Sequence, residues 1–183
     1  MSDLIERLKA KWIADGLTLR PGASTEALGA FESRYGVVLP PAFRSYLAAV
    51  DGMTEDQDRD WPSDRHSFCF WGLPALLSVR DYCSYQMPGD LTGREGADWT
   101  DRWFPFADFL IHSHAYAIRL TADPNDGGTV CLWDFGQECY GVAPSFEDFL
   151  TIYLAGSDQD FGDRRMFGEG TSKSTTERVR RRQ

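Results

Sequence analysis

The 183-residue sequence is poor in the residues that build metal and redox centres: three histidines (His66, His112, His114) and four cysteines (Cys69, Cys83, Cys131, Cys139). No two cysteines form a Cys-x-x-Cys pair, so the common zinc-ribbon and thioredoxin-type spacings are excluded. Cys69 and Cys131 fall inside apolar strand patterns and read as buried, reduced thiols that act as small hydrophobes. Cys131 and Cys139 could face each other across a hairpin, but a reducing compartment rarely keeps such a bond. No apolar run approaches the ~20 residues needed to span a bilayer. The opening segment MSDLIERLKAKWIADG has no basic n-region, apolar h-region or small-residue cleavage site. The cytoplasm is therefore the expected compartment. A Walker A loop, a Gly-x-Ser-x-Gly elbow and a Gly-x-Gly-x-x-Gly after a strand are all missing. Asp134-Phe135-Gly136 matches a kinase tripeptide by letters only, since no Gly-rich or catalytic loop accompanies it.

What the chain has in excess is negative charge. The formal net charge is -9; residues 171–183 carry +4, which leaves -13 on the other 170. An acidic body disfavours phosphate backbones, so nucleic acid is not an expected partner, and it attracts basic proteins. Plain solubility explains the same number equally well. Residues 51–66, DGMTEDQDRDWPSDRH, concentrate the carboxylates Asp51, Glu55, Asp56, Asp58, Asp60 and Asp64. Exposed neighbours on a polar loop lack the separated pKa values that acid–base catalysis needs. The loop is either a solvated face or a protein-binding edge. Trp61 favours the edge: an indole gives buried contact while the charges steer a basic partner. The candidate partner-binding residues are thus Asp56, Asp58, Asp60, Trp61 and Asp64.

Periodicity predicts an α+β fold. A first helix covers about 3–14, with Leu4, Ile5, Leu8 and Trp12 on one side. Two short helices follow between 24 and 50. Apolar strands are expected near 67–73, 104–110, 115–120, 129–135 and 138–142, the third alternating Tyr116, Ile118 and Leu120 with Ala115, Ala117 and Arg119. Residues 74–103 read as a short helix and a Gly/Asp-rich loop. Asp123-Pro124-Asn125-Asp126-Gly127-Gly128 and Gly136-Gln137 are turn chemistry. Ser145 caps a last helix whose buried face is Phe146, Phe149, Leu150, Tyr153 and Leu154, with Asp148 approximating a capping box. The expected architecture is one domain, residues 1–156 with its core at about 20–155. In it, N-terminal helices and a C-terminal helix pack on a mostly antiparallel sheet of five to six strands. Residues 157–183 read as a polar, basic, mobile tail.

The stretch STEALGAFESRYGVVLPPAFRSYLAAVDG, residues 24–52, is the most specific local pattern. Leu28, Phe31 and Tyr35 share one helical stripe, Gly36 suits a left-handed C′ position, and Pro41 suits the first turn of the next helix. That helix aligns Phe43, Tyr46, Leu47 and Val50, and Asp51-Gly52 stops it. FESRYGVVLPPAFRSYLAAVDG resembles the signature of the SUKH superfamily, the Smi/Knr-type domain. SFCFWGL, FPFADFLIHSHAYAIRL and GTVCLWDFGQECYGVAPSFEDFLTIYL resemble its later strands and closing helix, in the right order over about 20–155. The resemblance implies a non-enzymatic bacterial immunity protein without a cofactor, docking on a cognate toxin domain, many of which are basic nucleases. A regulator or scaffold like the fungal cell-wall members is the family's other implied role.

Two remaining constellations have alternatives. His112 and His114 would share a strand face and could reach a metal with Asp108, the basis of a small metal-dependent hydrolase; as loop residues they would be ordinary polar histidines. Asp123-x-Asn125-x-Gly127-Gly128 echoes a calcium loop but departs from it at Gly127 and Asp134, so a hairpin turn is expected. The Arg180-Arg181-Arg182 end reads as solvated.

Overall fold

The structure, a computed structural model, describes residues 1–54, 62–86, 101–135 and 139–156. Five helices, α1 (Ser2–Ala14), α2 (Thr25–Tyr35), α3 (Pro41–Ala49), α4 (Val79–Gln86) and α5 (Phe146–Ala155), accompany five strands. These are β1 (Phe68–Phe70), β2 (Trp103–Phe109), β3 (His114–Arg119), β4 (Val130–Trp133) and β5 (Cys139–Ala143). They form one sheet in the order β1-β2-β3-β4-β5, every pair antiparallel. The fold is α+β, as the periodicity predicts.

The helical elbow forms as its residues dictate. Ser24 Oγ accepts the Ala27 N–H at 3.1 Å, and Gly36 takes the left-handed C′ conformation at φ 62°. Glu32 then ties the elbow shut: one carboxylate oxygen accepts the Leu39 N–H at 2.9 Å, the other the Arg44 guanidinium at 2.7 Å. Pro41 opens α3, and the Val38 N–H donates to Thr121 O at 2.8 Å, joining the connector to the sheet. Gly52, at φ 67°, lies so close to Gly72 that a Cβ there would meet Gly72 N at 2.4 Å. The chain crossing therefore needs glycine.

Strand alternation splits the apolar residues between two faces. One face carries Phe68, Phe70, Phe104, Phe106, Tyr116 and Ile118, packed under α1, α2, α3 and α5. Aromatic rings dominate: Phe43 and Phe146 lie 4.9 Å apart, Trp12 and Phe70 5.2 Å, Phe106 and Phe149 5.2 Å. The other face carries Cys69, Trp71, Ala115 and Trp133 against Val79, Tyr82 and Cys83 of α4. The short helix expected in 74–103 is thus α4, on the sheet face opposite the other helices.

Strand ends differ from expectation in three places, the first being β1, which stops at Phe70 rather than 73. β4 stops at Trp133 because Phe135 has φ 60°, outside the extended region. β2 ends at Phe109 because Leu110, Ile111 and His112 all have positive φ. The register also separates two cysteines: Cys131 faces Gly141, while Cys139 faces Trp133, so Cys131 and Cys139 are not opposite each other. Cys69, Cys83 and Cys131 are buried. The second expected turn, at Gly136-Gln137, and the 157–183 tail lie outside the described residues.

Candidate functional site

Asp56, Asp58, Asp60 and Trp61 lie outside the described residues. Asp64 does not sit on an exposed edge. It is 3% exposed, and its carboxylate is fully engaged. Oδ1 accepts the N–H groups of His66 at 2.9 Å and Phe68 at 3.0 Å, an arrangement that turns the chain into β1. Oδ2 accepts Lys11 Nζ at 2.8 Å and the Tyr153 hydroxyl. Tyr153 in turn accepts the Trp12 indole N–H at 3.0 Å. One carboxylate therefore ties α1, β1 and α5 together, which corrects its placement among surface residues. Sequence reading missed this because an aspartate within an acidic run looks solvated; Asp64-x-His66-x-Phe68 preceding an apolar strand was the available signal.

The electrostatics of this node are settled by its cation. Lys11 also donates to Asp15 at 2.8 Å, and Arg65 stands 3.3 Å from the other Asp15 oxygen. Burial by itself would raise the Asp15 carboxyl, but the hydrogen bond and charge of Lys11, with Arg65, hold it below the ordinary 3.8. Tyr153 is pushed well above the ordinary phenol, first by burial and then by the Asp64 charge, so it remains a donor.

The histidines do not converge on a shared ligand position. His112 lies in the β2–β3 turn, with Nδ1 3.2 Å from the Tyr82 hydroxyl and 3.7 Å from Asp108 Oδ1. The same Asp108 oxygen accepts the His112 backbone N–H at 2.8 Å. His114 opens β3 with Nδ1 3.0 Å from Ser113 Oγ. The shared strand face assumed for the pair is missing, because residues 110–112 turn left-handed. Among the described residues, no three His, Cys, Asp or Glu side chains gather as a metal site. The calcium-like loop is a hairpin turn whose acceptors are committed: Asp123 Oδ1 accepts the Asn125 N–H at 2.9 Å, and Arg119 forks onto Asp126 at 2.6 and 3.0 Å. Cys69 is no nucleophile. Burial, then the charges of Asp108 and Asp64, push its thiol up to about 12.

Most of the large apolar side chains exposed among the described residues lie toward one end of the sheet, where β1 begins, β2 turns into β3 and β4 ends. Ile111 is 72% exposed and Leu110 52% at the turn itself. Among the described residues, no helix is long and apolar enough to cross a membrane.

Comparison with known proteins bears on what such surfaces do. A search of curated proteins finds no match. The profile of the SMI1 / KNR4 family (SUKH-1) matches residues 22–152, from the approach to α2 through most of α5. The match takes in the elbow, all five strands and the capped closing helix. The chain belongs to the SMI1 / KNR4 family (SUKH-1).

Proposed function

We propose that this protein is a non-enzymatic immunity protein that neutralises a cognate bacterial toxin domain, a basic nuclease, by docking on it. Family membership supports protein binding in general, and the charge of the body supports the kind of partner. The observation that carries the reading is the -13 borne by residues 1–170 of a chain in this family. A nuclease must be basic to hold a phosphate backbone, so an acidic inhibitor associates quickly and covers the path of the substrate. Asp56, Asp58, Asp60 and Trp61 are proposed to contribute to that contact; Asp64 supports the fold beneath it. The work is done in the cytoplasm of the producing cell, where the toxin would otherwise act on the producer.

The test is growth rescue. The C-terminal domain of the large open reading frame adjoining the gene is expressed in a sensitive host, with and without this chain. Toxicity relieved only by the chain is the expected result. A toxic domain with no relief rejects immunity to that neighbour and leaves the regulatory role of the same family as the reading to pursue.

A further inference from the structure

The β2–β3 turn is built to display two aliphatic side chains. Phe109 pairs with His114 across the ladder, so four residues, Leu110 to Ser113, make the turn. Leu110, Ile111 and His112 have φ values of 53°, 50° and 60°. Three consecutive non-glycine residues in the left-handed region are unfavourable, and a β-branched isoleucine is among the worst residues to place there. Glycine or asparagine would form the turn with less strain, and would display nothing.

The surrounding structure holds this conformation rather than relieving it. Leu110 N–H donates to Ser67 O at 3.1 Å, Ser113 N–H to Phe109 O at 3.2 Å, and His112 N–H to the buried Asp108 carboxylate at 2.8 Å. The Phe109 ring lies 4.9 Å from Phe68 and anchors the base. Strain that is held in place, with the strained side chains facing water, is a mark of a functional contact.

The rest of this end has the same character. Ile13, in the last turn of α1, is 60% exposed, and Tyr140, at the start of β5, is 41% exposed. The end of α1 belongs here because Lys11 reaches Asp64 beside β1. Of the five large apolar side chains exposed among the described residues, only Val38 lies elsewhere, at the far end of β3. The carboxylates of Asp15, Asp64 and Asp108 are buried here, Asp15 and Asp64 held by Lys11 and Arg65, so the charge this end brings to a partner is that of the acidic body as a whole, -13 over residues 1–170.

We propose that the Leu110–Ile111 tip is the anchor of the protein's docking surface, inserting into an apolar pocket on a basic partner protein. This rests on the protein-binding reading above and names the residues that give it affinity. A second copy of the chain is the poorer occupant, because two bodies of this acidity repel and two projecting tips enclose little area. A basic partner with a concave apolar pocket matches both the charge and the shape.

The test places a photoreactive benzophenone residue at position 111 of the full chain in the producing cell, with position 38 as control. The expected result is one heterologous adduct from 111 and none from 38, mapped by mass spectrometry to the pocket of a basic protein. That protein, purified, is then titrated with wild type, Leu110→Asp/Ile111→Asp and Ile111→Gly. The double variant should bind at least about 30-fold more weakly, the loss expected of a buried hot spot. Ile111→Gly should bind about 10-fold more weakly while melting about 2–4 °C higher, because it relieves strain and removes the anchor together. A residue of purely structural importance cannot show that pairing of gain and loss. Equal adducts from 38 and 111, no adduct from 111, an adduct of two copies, or Ile111→Gly binding within twofold of wild type would each overturn the proposal. Growth rescue by the double variant equal to that by wild type overturns the tip and leaves immunity standing. A mapped partner that is not a toxin rejects immunity and leaves the tip standing.

Discussion

Replacing Asp64 by alanine should destabilise the protein by about 3–5 kcal/mol, the usual loss when one partner of a buried ion pair is removed. The structure supplies the terms. Four donors lose their acceptor at once: the His66 and Phe68 N–H groups, the Lys11 ammonium and the Tyr153 hydroxyl. Each hydrogen bond to a charged group contributes about 1.5–3 kcal/mol, and these share one carboxylate, so the total falls short of their sum. Lys11 keeps Asp15 at 2.8 Å, which limits the loss further. Against a total stability of about 5–15 kcal/mol, the variant should still fold at low temperature. Asp64→Asn keeps an acceptor for the two N–H groups while losing the charge, and should cost about half as much. Urea denaturation followed by tryptophan fluorescence, at unchanged m-value, measures both. A loss under 1 kcal/mol in Asp64→Ala would refute the reasoning and return Asp64 to the exposed acidic set. Partner binding gives an independent check, because folded Asp64→Asn should associate as fast as wild type, any loss lying in the off-rate of a loosened tip.

Other outcomes follow from the same coordinates. Gly52→Ala combines a positive φ with a Cβ only 2.4 Å from Gly72 N and should lose more than about 2 kcal/mol; Gly36→Ala, at φ 62° with open space around it, should lose only the left-handed penalty of about 1 kcal/mol. Equal losses in denaturation would reject the steric argument. The Asp15 carboxyl is held below the ordinary 3.8 in the fold, so its contribution is complete at neutral pH, above the unfolded value, and fades as pH falls through the folded one. The stability gap between wild type and Asp15→Asn should therefore be widest near pH 7 and narrow as pH falls below the ordinary carboxyl value of 3.8, with a constant gap contradicting the Lys11 and Arg65 account. Native protein treated with iodoacetamide at pH 8 should take up at most one label, at Cys139, because Cys69, Cys83 and Cys131 are buried. Two or more labels by intact mass would show that this core opens. Neutralising Asp56, Asp58 and Asp60 together should slow association with the partner and flatten its salt dependence; unchanged kinetics would place the interface away from that run.

Local rules carried most of the architecture. Gly36, Pro41 and Ser145 specify helix ends by backbone chemistry that depends on a few neighbours, and each takes the expected role. Alternation likewise identifies the strands, since Tyr116 and Ile118 join the main core while Ala115 faces α4. The failures are non-local. Asp64 looks like one more carboxylate in an acidic run, and its burial depends on Lys11 and Tyr153, 53 and 89 residues away. The 104–110 run reads as strand because all of its residues but Asp108 are apolar. What bends it is Asp108 accepting the His112 N–H from a buried position, a constraint that propensity does not encode. The turn residues glycine and asparagine, which announce such bends, are missing there.

That omission bears on how the fold distributes its stability. Left-handed backbone costs about 1–2 kcal/mol for each of Leu110, Ile111 and His112, a sizeable part of what a domain of this size has in hand. The flanking strands tolerate it because they are among the best-anchored parts of the sheet. Phe68 and Phe109 pack together at the base of the turn, and Phe68 also meets Tyr116 and Tyr153. The Asp64 node fixes the start of β1 from beneath, so the carbonyl of Ser67 that receives Leu110 is itself held in place. Weakening that node should therefore loosen the tip before it unfolds the sheet. Asp64→Asn should then show faster amide hydrogen exchange at Leu110 and His112 than at Tyr116 or Ile118, relative to wild type. Uniform acceleration across all four would mean that the node supports the whole fold equally and that the tip draws no special rigidity from it.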